Sequence, residues 1–366
     1  MGNPLSAPSS RNFGIDLLRV VAMLYVVTLH SIGPGGILAA AAAGSAQYRT
    51  AWFLEIWTYC AVDIFALISG YVSYTDADKP VKWSNYLLLW LQVVAYGAGV
   101  TLVFNFFHPE LVTKQDLLRT FLPVTNGLYW YVTAYTGLFV VMPLLNAGLR
   151  KASEQTLRKL FVGLVLAFSL YEVLFQKFHL VGGYSFVWIA VLYVLGACVK
   201  KCGIGKALKP WQAVLGILIL CLVTWGWKMF GPVSGRFSGD LLVSYVSPTV
   251  LGCALLHLIW FSKLTFGPGM RRCIAFAAPA AFAAYILNCH KIVWVHMIAN
   301  HFSWLAAQSL PFLVGYVLLF SLLFVGASIL IDRVRIALFD LLRIRRLADA
   351  VTRLMDRALT KLTLRL

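Results

Sequence analysis

The chain has 366 residues, of which 60% are hydrophobic and only 12% charged, and its mean hydropathy is +0.80. Soluble domains carry about 25% charged residues, so the composition excludes an ordinary water-soluble enzyme and places the chain in a bilayer. The net charge is +17, but the cations lie between apolar runs rather than on a soluble module. They therefore bear on membrane topology, and no nucleic-acid partner is expected.

Ten apolar stretches read as spanning helices, roughly 14–34, 51–73, 85–106, 127–147, 159–178, 185–199, 211–231, 242–261, 274–297 and 308–331. The sixth is short. No strand-type alternation suggests a barrel. The expected fold is all-α: a polytopic transmembrane bundle of about ten spans over residues 1–331, followed by a basic tail over 332–366. The first dozen residues are polar and run into an apolar helix without a small-residue cleavage site, which reads as a first span rather than a removed signal. The opening MGNPLS fits a myristoylation pattern, but that pattern recurs by chance and a polytopic chain needs no lipid anchor.

An even number of spans puts both termini on one side. That side holds Arg11, Lys79, Lys82, Arg150, Lys151, Arg158, Lys159, Lys200, Lys201, Lys206, Lys209, Lys263, Arg271 and Arg272, with nine more Lys and Arg in the tail. The opposite loops hold only Arg49, Lys114, Arg119, Lys177, Lys228 and Arg236. The positive-inside rule then predicts a multi-pass protein of the plasma (inner) membrane with both termini cytosolic. The tail alternates basic and apolar residues at helical spacing and reads as an amphipathic helix on the anionic inner leaflet, with partner docking as the alternative. The outer loops are short, so whatever the chain does falls to the bundle. Its seven cysteines form no CxxC pair and no disulfide framework, and read as small buried apolar residues. Neither solenoid repeats nor the matched broken helices of many transporters are evident.

The first span carries the chemistry-bearing pattern. Asp16, Arg19 and His30 are ionisable groups inside a membrane-length stretch, and such groups mark functional sites by default. Arg19 and His30 are 11 residues apart, which is about 20° beyond three full turns and about 16 Å along the axis. Asp16, one turn before Arg19, can pair with it. Gly33-Pro34-Gly35-Gly36 ends the helix just beyond His30. The imidazole titrates near neutrality and can take a proton from a hydroxyl, whereas the guanidinium suits phosphate or carboxylate. In the second span, Glu55 and Asp63 share a broad face, and Ser69-Gly70-Tyr71 near its inner end fits close helix packing. His108 and His179 read as loop-proximal, His296 and His301 as lying near an outer end, and His257 as lying within a lipid-length span. No HExxH, P-loop or GxSxG motif is present in a usable context, and no metal is expected.

Several segments in order resemble one family. The Asp-Leu-Leu-Arg segment ending in His30 and VDIFALISGY (62–71) resemble the start of the acyltransferase-3 family of integral membrane O-acyltransferases. LYWYVTAYTGLFVVMPLLN (128–146), with Trp130, Tyr131 and Pro143, YVSPTVLGCALL (245–256) and AAYILNCHKIVW (283–294) resemble its later segments. The resemblance implies transfer of an acyl group, usually acetyl, from cytosolic acyl-CoA to a hydroxyl of an extracytoplasmic or lipid-linked glycan or related envelope acceptor. It makes His30 the catalytic histidine and Arg19, with Asp16 beside it, the paired arginine. Ser69 and Tyr71 would line the donor path, and Asp63, Trp130, Tyr131, Tyr285, Asn288 and His290 would contribute to donor or substrate binding. Acetyl-CoA, the acceptor and membrane lipids are the expected partners. Two positions depart from the family pattern. Its Arg-rich approach to the third span is here KPVKWSNYLLLW, with only Lys79 and Lys82, and the histidine it often places three residues after the tyrosine of the penultimate helix is here Asn288. His290 lies about 200° around a continuous helix from that position, so either a distortion brings it in or the site uses an amide. A proton-coupled transporter or flippase using the same intramembrane groups is the alternative function, and a non-catalytic scaffold a third.

Overall fold

The computed structural model describes residues 11–75, 81–127 and 129–363, so MGNPLS and Lys79 lie outside the described residues. Every regular element among those described is helical. In chain order they include α1 (Phe13–Ile32), α2 (Ala46–Thr58), α3 (Ala61–Ser73), α4 (Trp83–Phe107), α5 (Lys114–Thr120), α6 (Trp130–Lys151) and α7 (Glu154–Val165), which continues through a π-helical turn into Glu172–Phe175. The second half adds α8 (Phe186–Lys201), α9 (Pro210–Phe230), α10 (Pro248–Ser262), α11 (Pro268–Ala277), α12 (Phe282–Asn288), α13 (Leu310–Leu341) and α14 (Ile344–Thr363).

Each of the ten expected stretches holds a helix. Among the described residues, 7 helical segments are long and apolar enough to cross a bilayer, counting Phe13–Ala40 and Ala46–Ser73 as one segment each. The exceptions are α7, α8 and the shorter apolar α10. Exposed leucines such as Leu318, Leu319, Leu322 and Leu323 on α13, and Leu102, Val103 and Phe106 on α4, form the outward face that lipid would cover.

α1 is the central post. Asn12 caps it, its side chain accepting from the Ile15 amide at 3.1 Å. The helix then packs against α2, α3, α10, α11, α12 and α13. The second expected span is broken at Tyr59–Cys60, and the ninth stops at Asn288 instead of running to 297. The chain therefore contains two interrupted helices where continuous spans were expected. Glu55 and Asp63 consequently sit on two different helices, both buried.

The two halves of the bundle meet where α3 crosses α8. A Cβ added at Gly70 would stand 1.8 Å from the Tyr193 carbonyl oxygen, and one at Gly196 would stand 2.0 Å from that of Leu67. Each glycine thus lets the other helix's backbone come into contact, the close-packing reading of Ser69-Gly70-Tyr71. One to two turns away, Trp188 donates to Asp63 Oδ1 at 3.0 Å. The carboxylate sits in the first turn of α3, where the helix dipole favours negative charge.

α13 runs ten residues beyond the expected end of the last span, so the tail's own helix is α14. Asp332 is fully buried and accepts from Arg335 at 2.6 and 2.9 Å, Tyr96 at 2.9 Å and Gln92 at 3.1 Å. This locks α13 to α4, and α14 folds back on α4 with Ala348 and Thr352 buried.

Gly70→Ala and Gly196→Ala should each lower the thermal midpoint in detergent by several degrees, since overpacking costs about 1–3 kcal/mol. Gly148→Ala, where an added Cβ meets nothing within 4 Å, should leave it unchanged or raise it. Fluorescence-detected size exclusion after heating reads both. Equal behaviour of the three variants would refute the close crossing.

Candidate functional site

The end of α1 that carries Arg11 holds an anion-ready cluster. Asp16 accepts from Arg19 Nη1 at 2.6 Å and also pairs with Arg11. One carboxylate thus answers two guanidiniums and the cluster stays net positive. Arg19 borders a cavity of about 330 Å³ whose polar wall is Ser69, Asn85, Tyr86, Tyr131 and Tyr135 and whose apolar wall includes Phe65, Phe139 and Phe282. The stretch in which family arginines were expected supplies an amide and a phenol here, with Lys82 capping the start of α4.

His30 lies three turns on. Its Nδ1 meets Asn288 Oδ1 at 2.5 Å. An amide oxygen only accepts, so Nδ1 carries the proton and Nε2 keeps its lone pair. Trp294 packs edge-on against the imidazole, with centroids 5.0 Å apart and planes at 83°. Asn288 is fully buried, and its Nδ2 has no partner among the described residues. Of the two candidates at this position, it is Asn288 that contacts His30. α12 ends at Asn288, so the angular offset of a continuous helix no longer applies. His290 instead caps the turn Lys291–Val293, accepting from Ile292 at 3.3 Å, and its Nε2 lies 3.4 Å from Thr101 Oγ1.

Backbone contacts hold this geometry. The Asn300 amide donates to Pro34 O at 3.0 Å, and the Phe302 amide donates to Gly35 O at 2.9 Å. A Cβ at Gly35 would stand 1.9 Å from Ser31 O, and Gly36 has φ +94 against Asn300. The glycines after His30 therefore permit the docking as well as ending the helix. Buried Glu55 lies against Gly33, its Oε1 2.8 Å from where a Cβ would stand. Farther out, Lys291 donates to Asp116 at 2.6 Å and ties the same segment to α5. Burial opposes the charged form of Asp116, but hydrogen bonds from Lys291 and Thr113 outweigh it and hold the carboxyl at about 2.

Tyr131 joins the two ends. It lines the Arg19 cavity, its amide donates to Tyr285 Oη at 3.3 Å, and Asn288 lies three residues beyond Tyr285 on α12. Ser69 faces the same cavity, whereas Tyr71 borders a separate one of about 600 Å³ among Lys200, Lys201, Lys206 and Lys263. The cations there are largely committed to backbone carbonyls of helix ends and of the turn 202–208. Lys201 reaches Leu149, Arg150 and Ala152, Lys263 reaches Gly205, Lys206 and Leu208, and Lys200 reaches Tyr74. Trp130 stands apart, packed with Tyr184 and Tyr245. Asp63 is held by Trp188. His257, expected inside a span, is fully buried there, bonded to Tyr25 at 3.2 Å and to Cys253 O at 2.8 Å.

Asn85, Tyr86, Tyr135 and Trp294 escaped the sequence reading. Tyr131, Tyr135 and Phe139 did carry a signal, being spaced four apart on one helix face.

A family model described as an acyltransferase domain matches residues 12–332. Comparison with curated proteins and with solved structures gives no match.

The Asp116–Lys291 pair has a depressed carboxyl pKa, so its contribution to stability is complete above the ordinary carboxylate value of 3.8 and is lost as pH falls through about 2. Asp116→Asn should lower the thermal midpoint by the same amount at every pH from 5 to about 8. A gap that closes between pH 7 and 5 would refute the depressed value.

Proposed function

Because the chain belongs to the acyltransferase-3 family, as the match over 12–332 shows, we propose that this membrane acyltransferase moves an acetyl group from cytosolic acetyl-CoA to a hydroxyl of an envelope glycan or lipid-linked acceptor. The observation that carries the reading is α1 itself, with a net-positive guanidinium cluster bordering a cavity at one end and an imidazole with a free Nε2 at the other. The donor's phosphates would be held near Arg19 and Arg11, with both chain termini in the cytosol. Its thin pantetheine arm would run past Ser69 and Tyr131 toward Asn288.

In the proposed step, His30 Nε2 takes the proton of the acceptor hydroxyl as the oxygen attacks the thioester carbonyl. The C–S bond breaks, and the departing thiolate receives the proton from the imidazolium, giving ester and free CoA. Asn288 has two tasks. Oδ1 fixes the tautomer, as a buried carboxylate does in a serine-protease triad. The unpartnered Nδ2 is a donor available to the developing oxyanion, where one such donor is worth about 10²–10³ in kcat. Transient acylation of Nε2 is the variant of the same geometry.

The test follows free-thiol release from acetyl-CoA by the protein in nanodiscs, with and without a cell-envelope glycan extract. Wild type should show glycan-stimulated release. His30→Ala should lose at least about 100-fold, and Asn288→Ala about 10²-fold in kcat with KM little changed. Arg19→Ala should raise the KM for acetyl-CoA while kcat is largely kept. Failure of acetyl-CoA to bind, with a gradient driving solute movement instead, would overturn the enzyme reading in favour of transport.

A further inference from the structure

A second, larger cavity opens at the bundle end opposite Arg19. It encloses about 740 Å³ against about 330 Å³, within the range of small-molecule sites. Its walls are the end of the helix that follows α7, the loop 176–182 and the segment 235–246.

The charges around it are unbalanced. Two carboxylates line it, and both are committed. Glu172 is buried, one oxygen accepting from the Phe178 amide at 2.7 Å and the other from Leu180 at 3.1 Å. Asp240 pairs with Lys228, which is not part of the lining. Lys177 and Arg236 also line it, and among the described residues no carboxylate pairs with either. Arg236 rests on the Phe175 ring at 4.9 Å. The side expected to be poor in cations thus places two of its six in one concavity.

The wall is also strained. Gln176, His179 and Val181 have φ of 50, 53 and 53, and Gly182 has 64. A β-branched residue in this region is an outlier. The Val181 side chain is 70% exposed, so packing does not explain its conformation. The Glu172 carboxylate does, because it gathers the loop's amides. Such strain clusters at ligand clamps. The segment's other face leads inward. Ser244 and Val246 line the cavity, while Tyr245 between them turns onto Trp130, Tyr184 and Tyr59. Tyr59 lies at the α2–α3 break, one turn from Glu55.

We propose that this cavity binds the acceptor and that the acceptor is an anionic saccharide, its carboxylate or phosphate received by Lys177 and Arg236. This rests on the acyltransferase reading for the word acceptor. The binding site itself stands or falls separately.

The experiment uses the full chain in nanodiscs of zwitterionic lipid and three probes: a galacturonate disaccharide, the matching neutral galactose disaccharide, and a sugar phosphate. Saturation-transfer NMR and calorimetry read binding. The acidic probes should bind wild type and weaken with added salt. In Lys177→Gln/Arg236→Gln they should weaken at least tenfold, while acetyl-CoA binding is unchanged and serves as the check on folding. Comparison of the uronate and phosphate probes identifies the preferred anion. Equal binding of the neutral disaccharide, unchanged affinity in the double variant, or no binding of any probe overturns the proposal. So does loss of the acidic probes when phosphatidylglycerol is added to the nanodisc, which would make the site a lipid-headgroup contact. Acidic-probe binding without any CoA release would keep the site and overturn the enzyme reading.

Discussion

The hydrogen bond between His30 and Asn288 is the interaction on which the rest of the structure depends. A histidine in a membrane helix needs a partner for one nitrogen if the other is to be usable. The site uses both Asn288, on Nδ1, and Trp294, edge-on to the ring. The chain supplies both by stopping α12 at Asn288 and turning at Cys289–His290. The broken end must then be held. His290 caps the next turn, Asp116 grips Lys291, and two backbone hydrogen bonds join 300–302 to 34–35. The Gly-Pro-Gly-Gly turn after His30 is the other half of that clamp, since a Cβ at Gly35 would strike the backbone. Residues far from the imidazole thus fix where its lone pair points.

The opposite end of α1 follows a different rule. Arg19 is half in and half out of the bundle, and its position is set by a shared carboxylate rather than by a buried network. Two guanidiniums on Asp16 leave charge to spare. By contrast, Lys201 and Lys263 sit beside a larger cavity but hydrogen-bond to backbone carbonyls of a helix end and of the turn 202–208, and this absorbs their donors. Basic residues near a cavity are therefore not equivalent. What separates an anion site from a helix cap is whether the donors are already committed.

The sequence made some of this legible. The one-face spacing of Arg19 and His30 survives because α1 is regular, and long apolar runs located the helices because lipid imposes length and composition. The breaks at Tyr59–Cys60 and Cys289–His290 were not legible. No Gly or Pro marks either, so tertiary contacts and not local propensity interrupt those helices. Aromatic character singles out neither Trp294 nor Tyr135, because an interfacial aromatic belt and a cavity wall draw on the same residues. Asn288 looked like a departure from the family pattern. Its meaning emerged only once the amide was seen on the imidazole.

Seven buried side-chain polar atoms lack a partner among the described residues: Trp52 Nε1, Arg333 Nε and a group of five. Glu55 Oε2, Asp63 Oδ2, Tyr131 Oη, Thr133 Oγ1 and Asn288 Nδ2 are buried and have no partner among the described residues. An orphaned polar atom costs about 1–3 kcal/mol, and lipid offers no relief. These atoms belong to α2, α3, α6 and α12, the last three of which line the Arg19 cavity. Elsewhere the bundle spends considerable architecture on satisfying such groups, as Asp332 with its four donors shows. These five atoms are where the proposed donor and acceptor would supply the missing partners. A thioester arm with its two amides, and a hydroxyl arriving from the other side, are groups of the chemistry that would complete them.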